Sequence, residues 1–210
     1  MSLSFPRTDI LTNLPLATHT EPFRAMWRQE VSRTANGRTI VKDVGPLLWR
    51  AQYSTVPLRT AVAGQVEADL LSLGGGVELF HGYDPRHPFP ASDKVSTLTG
   101  VTVTQISGDR RSLKIGGLPS SFVLTKGDWI SINDGTNLHL LKVLETVTAS
   151  GGVTPFFDVT PGVRAAITTG DTVKLRYASA RFQIEPDSLV RSPHGGLHES
   201  VSFSALQVIL

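Results

Sequence analysis

Cysteine is absent from all 210 residues. Disulfides, thiolate zinc sites and a cysteine nucleophile are therefore excluded, and stability has to come from packing or from neighbouring subunits. An excess of charge of one sign is missing too, since 20 basic residues stand against 18 acidic ones for a net +2. Gripping nucleic acid takes several clustered Lys or Arg to displace counterions, so no nucleic-acid partner is expected. No apolar run approaches the length that spans a bilayer. The opening MSLSFPRTDILTNLPLA carries Pro6, Asp9 and Pro15 and lacks the charged-then-apolar order of a secretory signal. The expectation is a soluble, non-exported chain with no membrane partner. Its 40% hydrophobic content suffices for a packed core in one large or two small domains.

Residues 24–55 read as a strand pair. Trp27, Gln29 and Val31 alternate with Arg28 and Glu30, and Asn36-Gly37 supplies a two-residue turn that needs positive φ. The return arm resumes at Thr39, and Trp49, Ala51 and Tyr53 then alternate with Arg50, Gln52 and Ser54. This pattern predicts one core shared by Trp27 and Trp49. Over 57–73 the period changes: Leu58, Val62, Val66, Leu70 and Leu73 recur at three- and four-residue steps between Pro57 and Gly74-Gly75-Gly76, predicting one amphipathic helix. Val77 to Phe80 reads as a short strand, and 81–90, with three prolines, as an irregular exit.

From about 96 to 178 strands follow one another between turn residues. Thr99 to Ile106 alternates, Trp129 to Ile132 runs into Asn133-Asp134-Gly135, and Leu138 to Val147 returns. Ser150-Gly151-Gly152 then leads to Thr154–Val159, and Gly170-Asp171 opens the last strand. A small barrel is the expected form. The segments 181–184 and 201–205 are too few to fold alone and must pair with strands already made. Their economical partner is the N-terminal sheet, which makes the middle module an insertion.

A Trp-bearing hairpin, the helix from Leu58 to Leu73 and the segment Phe80-His81-Gly82-Tyr83-Asp84-Pro85 come in this order. They are followed by the strand starts Gly127-Asp128-Trp129-Ile130 and Pro161-Gly162-Val163-Arg164 and by a closing β segment. In order and spacing, from about residue 23 to 205, this resembles tail proteins of bacteriophages and prophages, most closely the distal-tail-like proteins. The resemblance implies a mostly β fold: a β-sandwich with one flanking α-helix, formed by 1–95 plus 179–210, interrupted by a small β-barrel at 96–178. It further implies a non-enzymatic part of the virion tail, made in the host cytoplasm and assembled with itself as a ring, with six copies expected. Such a ring joins the tail tube to the baseplate hub or receptor-binding parts. A neighbouring tail component built on the same sandwich is the near variant of this reading. The separate C-terminal carbohydrate-binding-like domain of the longer distal tail proteins has no counterpart here, so direct receptor binding is not expected.

Residues that could carry chemistry are better explained as structure. His81 and His87 lie near Asp84, and His194 and His198 near Glu199, but Gly195-Gly196 argues against the helix that an i, i+4 ligand pair needs. No metal or cofactor is expected. No Gly-x-Ser-x-Gly elbow occurs, and Ser192-Pro193-His194 has no acid partner set by spacing. Asp84, Asp93, Asp128, Asp134, Asp158, Asp171, Glu185 and Asp187 are scattered mainly at turns rather than paired for glycoside hydrolysis, so no catalytic residue is assigned. Gly74-Gly75-Gly76 follows a helix, whereas a phosphate loop precedes one. The alternative function is a carbohydrate-binding module using the inserted barrel. Among Trp27, Trp49 and Trp129, the glycan contact would then be Trp129, although the alternation around each favours a core position.

Val66→Asp, which puts a charge on the helix's apolar face, is expected to abolish folding or assembly. A thermal melt checks it, and a wild-type transition would mean that this face is not docked.

Overall fold

The computed structural model describes residues 3–12, 14–15, 23–92 and 98–209. It is mostly β, with one helix, a large sheet and a closed barrel inserted between two of the sheet's strands. Strands β1 (Arg24–Arg33) and β2 (Thr39–Ser54) form a long antiparallel hairpin. Gly37 at its tip has φ +81°, the left-handed conformation that a tight hairpin turn requires. Leu47, Trp49, Ala51 and Tyr53 point into the core, as the alternation in β2 predicts.

Strand β3 (Leu58–Arg59) leads directly into helix α1 (Thr60–Leu71). The helix begins two residues later than the periodicity suggests, because Leu58 and Arg59 pair with a later strand. Its buried face is Ala63, Val66 and Leu70, continued by Leu73, while Val62 is 41% exposed. The apolar stripe is thus turned by one residue, with the small side chain of Ala63 against the sheet. Gly74, Gly75 and Gly76 all have positive φ and end the helix. A Cβ on Gly76 would lie 2.7 Å from the Ile184 carbonyl oxygen, so the chain passes there only as glycine. Strand β4 (Phe80–Tyr83) follows, three residues beyond the expected start at Val77, which is exposed.

The barrel contains β5 (Thr102–Ile106), β6 (Ser112–Gly116), β8 (Trp129–Asn133), β9 (Leu138–Val143), β11 (Phe157–Thr160) and β12 (Thr172–Lys174). They close in the order β11-β6-β5-β12-β8-β9. The short pair β7 (Val123–Leu124) and β10 (Val147–Thr148) adds Leu124 and Val147 to the barrel's core. Strand β6 had no clear signal in the sequence. Pro161-Gly162-Val163-Arg164, expected to start a strand, is a loop instead. The Arg110 guanidinium holds that region through the carbonyls of Val163 (3.0 Å), Arg164 and Ile167 (2.7 Å). Several satisfied carbonyls around one cation fix a loop as a ladder would.

The chain returns as β13 (Ser179–Ile184), β14 (Val190–Pro193) and β15 (His198–Gln207). The sheet order is β1-β2-β15-β13-β4, with β3 and β14 also pairing β15. Entry and exit of the barrel are neighbours, since Tyr83 of β4 lies opposite Ser179 of β13. The upstream boundary expected at 95/96 lies outside the described residues. Tyr53, Phe80, Phe182 and Phe203 fill the sheet's inner face. Gly82 allows their close approach, for a Cβ there would stand 2.5 Å from the Phe182 ring.

Sheet and barrel share apolar contacts. Trp129 and Leu140 project from the barrel's outside into the sheet's core. The Trp129 indole meets that of Trp49 edge-on at 4.7 Å, and Trp49 Nε1 donates to the Leu140 carbonyl at 3.0 Å. Ser131 Oγ donates to the Ser179 carbonyl at 2.6 Å. Trp27, expected beside Trp49, is 63% exposed, and Trp129 takes the place foreseen for it. Trp129→Ala should therefore destabilise the protein by about 3–5 kcal/mol, the cost of emptying a buried indole site. Urea denaturation measures this, and a loss below about 1 kcal/mol would mean that the two units do not depend on the contact.

Candidate assembly surface

Strand β15 pairs β2 only over Arg50–Ser54, so Thr39–Gly45 has β1 on one side and no other strand among the described residues. All of β1 and the first six residues of β2 are exposed. Val31 lies opposite Val41, with Gln29 opposite Asp43 on the same face and their side chains bonded at 2.7 Å. Ile40, Lys42 and Val44 fall on the other face. Val31 at 60% exposure and Val44 at 58% therefore put apolar surface on both sides. The residues 24–45 carry five cations (Arg24, Arg28, Arg33, Arg38, Lys42) against Glu30 and Asp43, a net +3 in a chain of net +2. The remaining chain accordingly has a net −1.

At the arm's base the ladder shifts register between Met26 and Gln29, a bulge that leaves Trp27 without a cross-strand partner. Trp27 lines a groove of about 240 Å³ between Gly45-Pro46-Leu47 and the barrel loop at Pro161 and Arg164. A two-stranded ribbon is marginal in water by itself. This one has, among the described residues, two open edges and exposed apolar groups on both faces. The alternation in β1 was legible in the sequence, but alternation implies a dry face, and here neither face is dry.

The glycan contact named for Trp129 meets an obstacle in packing. At 4% exposure, the ring is enclosed by Trp49, Phe23 and the Lys142 ammonium, and it offers no face for a sugar. Its Nε1 donates to Asp84 Oδ2 at 3.2 Å. The same carboxylate oxygen contacts His87 Nδ1 at 3.1 Å, and Oδ1 accepts the Arg86 N–H at 2.9 Å. Asp84 is thus a buried node that fixes the exit loop against the barrel.

His194 and His198 occupy the tip of the β14–β15 hairpin, where the His194 N–H donates to the His198 carbonyl at 2.9 Å. Glu199 accepts from Arg191, which also binds Glu67 at 2.6 Å. Among the described residues no three metal-ligating groups converge. Asp128 accepts the Ala91 and Thr125 N–H groups, Asp171 accepts that of Thr168, and Glu185 pairs with Arg50. Asp93 lies outside the described residues. Compared with protein-family models and with curated proteins, the chain matches none.

One His–carboxylate pair went unnoticed in the sequence. His139 Nε2 and Asp134 Oδ2 are 2.7 Å apart, with both side chains nearly sealed from solvent. His139 faces inward beside Ile132 at the β8–β9 turn. Burial alone would raise the Asp134 pKa, but the Asn137 N–H, the His139 imidazole and the Thr136 N–H stabilise the charged form and hold it down to about 2. The pair seals the barrel end and offers no access to a substrate. Because the folded-state value lies below the ordinary 3.8, the stabilisation is present above that pH and is lost as pH falls through about 2. The stability advantage of wild type over Asp134→Asn should shrink across this window in urea titrations at stepped pH. A difference independent of pH would show that the carboxylate is not held in this way.

Proposed function

We propose that the chain is a non-enzymatic structural component of a bacteriophage tail. In this reading it assembles with copies of itself into a ring at the distal tail or baseplate, joining the tube to the hub or receptor-binding parts. The observation that carries the reading is the β1–β2 arm. It is a cationic ribbon with exposed Val31, Val41, Ile40 and Val44 and, among the described residues, two open strand edges. Its occupant is a neighbouring copy, whose body beyond the arm has the opposite net charge. An arm that projects from one copy and lies on a different surface of the next is a heterologous contact. Repeated around an axis, such contacts close into a ring. The sequence resemblance to distal-tail-like proteins points the same way, although Pro161-Gly162-Val163-Arg164, one of the strand starts that carry it, is a loop.

Sedimentation velocity on the purified chain tests this. Wild type is expected as a closed oligomer. The triple variant Trp27→Ser, Val31→Ser, Val44→Ser should sediment as a monomer with an unchanged far-UV circular dichroism spectrum, its melting temperature lowered only by the lost association. Each truncation removes about 1 kcal/mol or more of interface burial, so association should weaken at least about 100-fold. A folded wild-type monomer at high concentration would overturn the proposal.

A further inference from the structure

The outer face of the sheet's far edge carries a cavity that the assembly reading does not use. In the β4–β13 ladder His81 lies opposite Arg181 and Tyr83 opposite Ser179. Paired residues share a face, so these four lie on the face opposite Phe80 and Phe182, and His81, Tyr83 and Ser179 form the floor of the cavity. Over this floor lie two walls. One is the N-terminal segment, whose Arg7 carbonyl accepts the His81 N–H at 2.8 Å and whose Arg7 N–H donates to the Leu79 carbonyl at 2.9 Å. Arg7 is itself anchored by Asp9 at 2.6 Å and Ser72 Oγ at 2.9 Å, which fixes Thr8 on the rim. The other wall is the barrel's exit, with Lys174 and Tyr177. Together they enclose about 450 Å³, within the roughly 300–1,000 Å³ of small-molecule sites.

The lining has a consistent chemistry. Thr8 and Thr12 bring hydroxyls, Lys174 an ammonium, His81 an imidazole, and Tyr83 and Tyr177 aromatic rings; among the described residues no carboxylate lines the cavity. Tyr177 is held between Phe89 and Tyr83, each 5.2 Å away, so its ring is fixed before any ligand arrives. Lys174 has no ion-pair partner among the described residues, and the buried Nε of Arg181 has no hydrogen-bond acceptor. Burial, with Arg181 and Lys174 nearby, pushes the His81 pKa down, so the imidazole can both donate and accept at neutral pH. The Lys174 ammonium in this lining favours an anion, while fixed aromatic rings and hydroxyls suit a polyol ring.

We infer that this cavity binds an anionic saccharide unit, a sugar phosphate or a uronate, with Lys174 on the charged group and Tyr177 against the ring. The site needs both the sheet and the barrel, so it is distinct from a glycan site in the barrel alone. It also stands apart from the assembly reading, because the arm variant leaves every residue of the cavity in place.

Calorimetry and NMR of the His81 imidazole in the full chain test the inference, with glucose 6-phosphate, glucuronate, glucose and inorganic phosphate as probes. Both anionic sugars should shift the His81 signals and compete with each other, and glucose and phosphate should each bind at least about tenfold more weakly. Lys174→Met, at an exposed position, should weaken the anionic sugars at least about tenfold with no change in melting temperature. Tyr177 has φ +48°, so Tyr177→Asn removes the ring while tolerating that backbone, and it should weaken them likewise. Three results would overturn the inference: no shift with either anionic sugar at about 10 mM, which would saturate any site tighter than about 1 mM; phosphate binding as tightly as glucose 6-phosphate; or undiminished binding by Lys174→Met.

Discussion

Strand β15 is made last and lies in the middle of the sheet, with β2 and β3 along one edge and β13 and β14 along the other. Until it is in place, β2 and β4 have no ladder joining them, and the aromatic rings of Tyr53, Phe80 and Phe182 have no Phe203 to close over them. Hydrogen bonding and burial therefore depend together on a contact between the first quarter of the chain and its end. Loop closure over such a span costs conformational entropy before any contact repays it. The inserted barrel eases that cost, since its entry and exit strands pair at Tyr83 and Ser179 and a folded barrel brings β13 beside β4.

Two consequences follow for surfaces. Beyond β15's reach, residues 39–45 of β2 have β1 as their only neighbouring strand among the described residues, so the hairpin leaves the body as an arm with open edges. At the opposite edge, β4 is covered by the parallel bridge at Arg7, and the barrel exit leans over the sheet's outer face. One edge thus carries exposed apolar side chains beside open strands among the described residues, and the other carries the cavity at His81. In both places backbone pairing stops before the strand's side-chain surface does.

The Trp129 contact shows why the barrel is more than an appendage. Barrel strands alternate between the barrel's own core and its outside, and on β8 and β9 the outside carries Trp129 and Leu140, which join the sheet's core. Trp129 and Leu140 would face water if the barrel stood alone, and each large side chain so buried contributes about 1.5–3 kcal/mol. The Asp84 carboxylate accepts from Trp129 Nε1 and from the Arg86 N–H, so it ties the barrel to the segment that follows β4.

Several features were legible in the letters because they depend on neighbours in sequence. These are the alternation of Trp49 to Tyr53, the Asn36-Gly37 turn, the helix ended by three glycines, the β-rich middle, and the need of the last strands for partners made earlier. Others were decided in three dimensions. Periodicity says that Trp27, Trp49 and Trp129 each have an apolar side to offer, but not which of them find one another, and the pairing fell to residues 80 positions apart. Val62 and Ala63 differ by one step of helix rotation, which packing against the sheet chose. The cavity at His81 was invisible because its walls come from the first residues, the sheet edge and the barrel exit, and no local pattern links them. Local sequence sets the period and hand of each element, whereas its neighbours are set by a burial that all segments share at once.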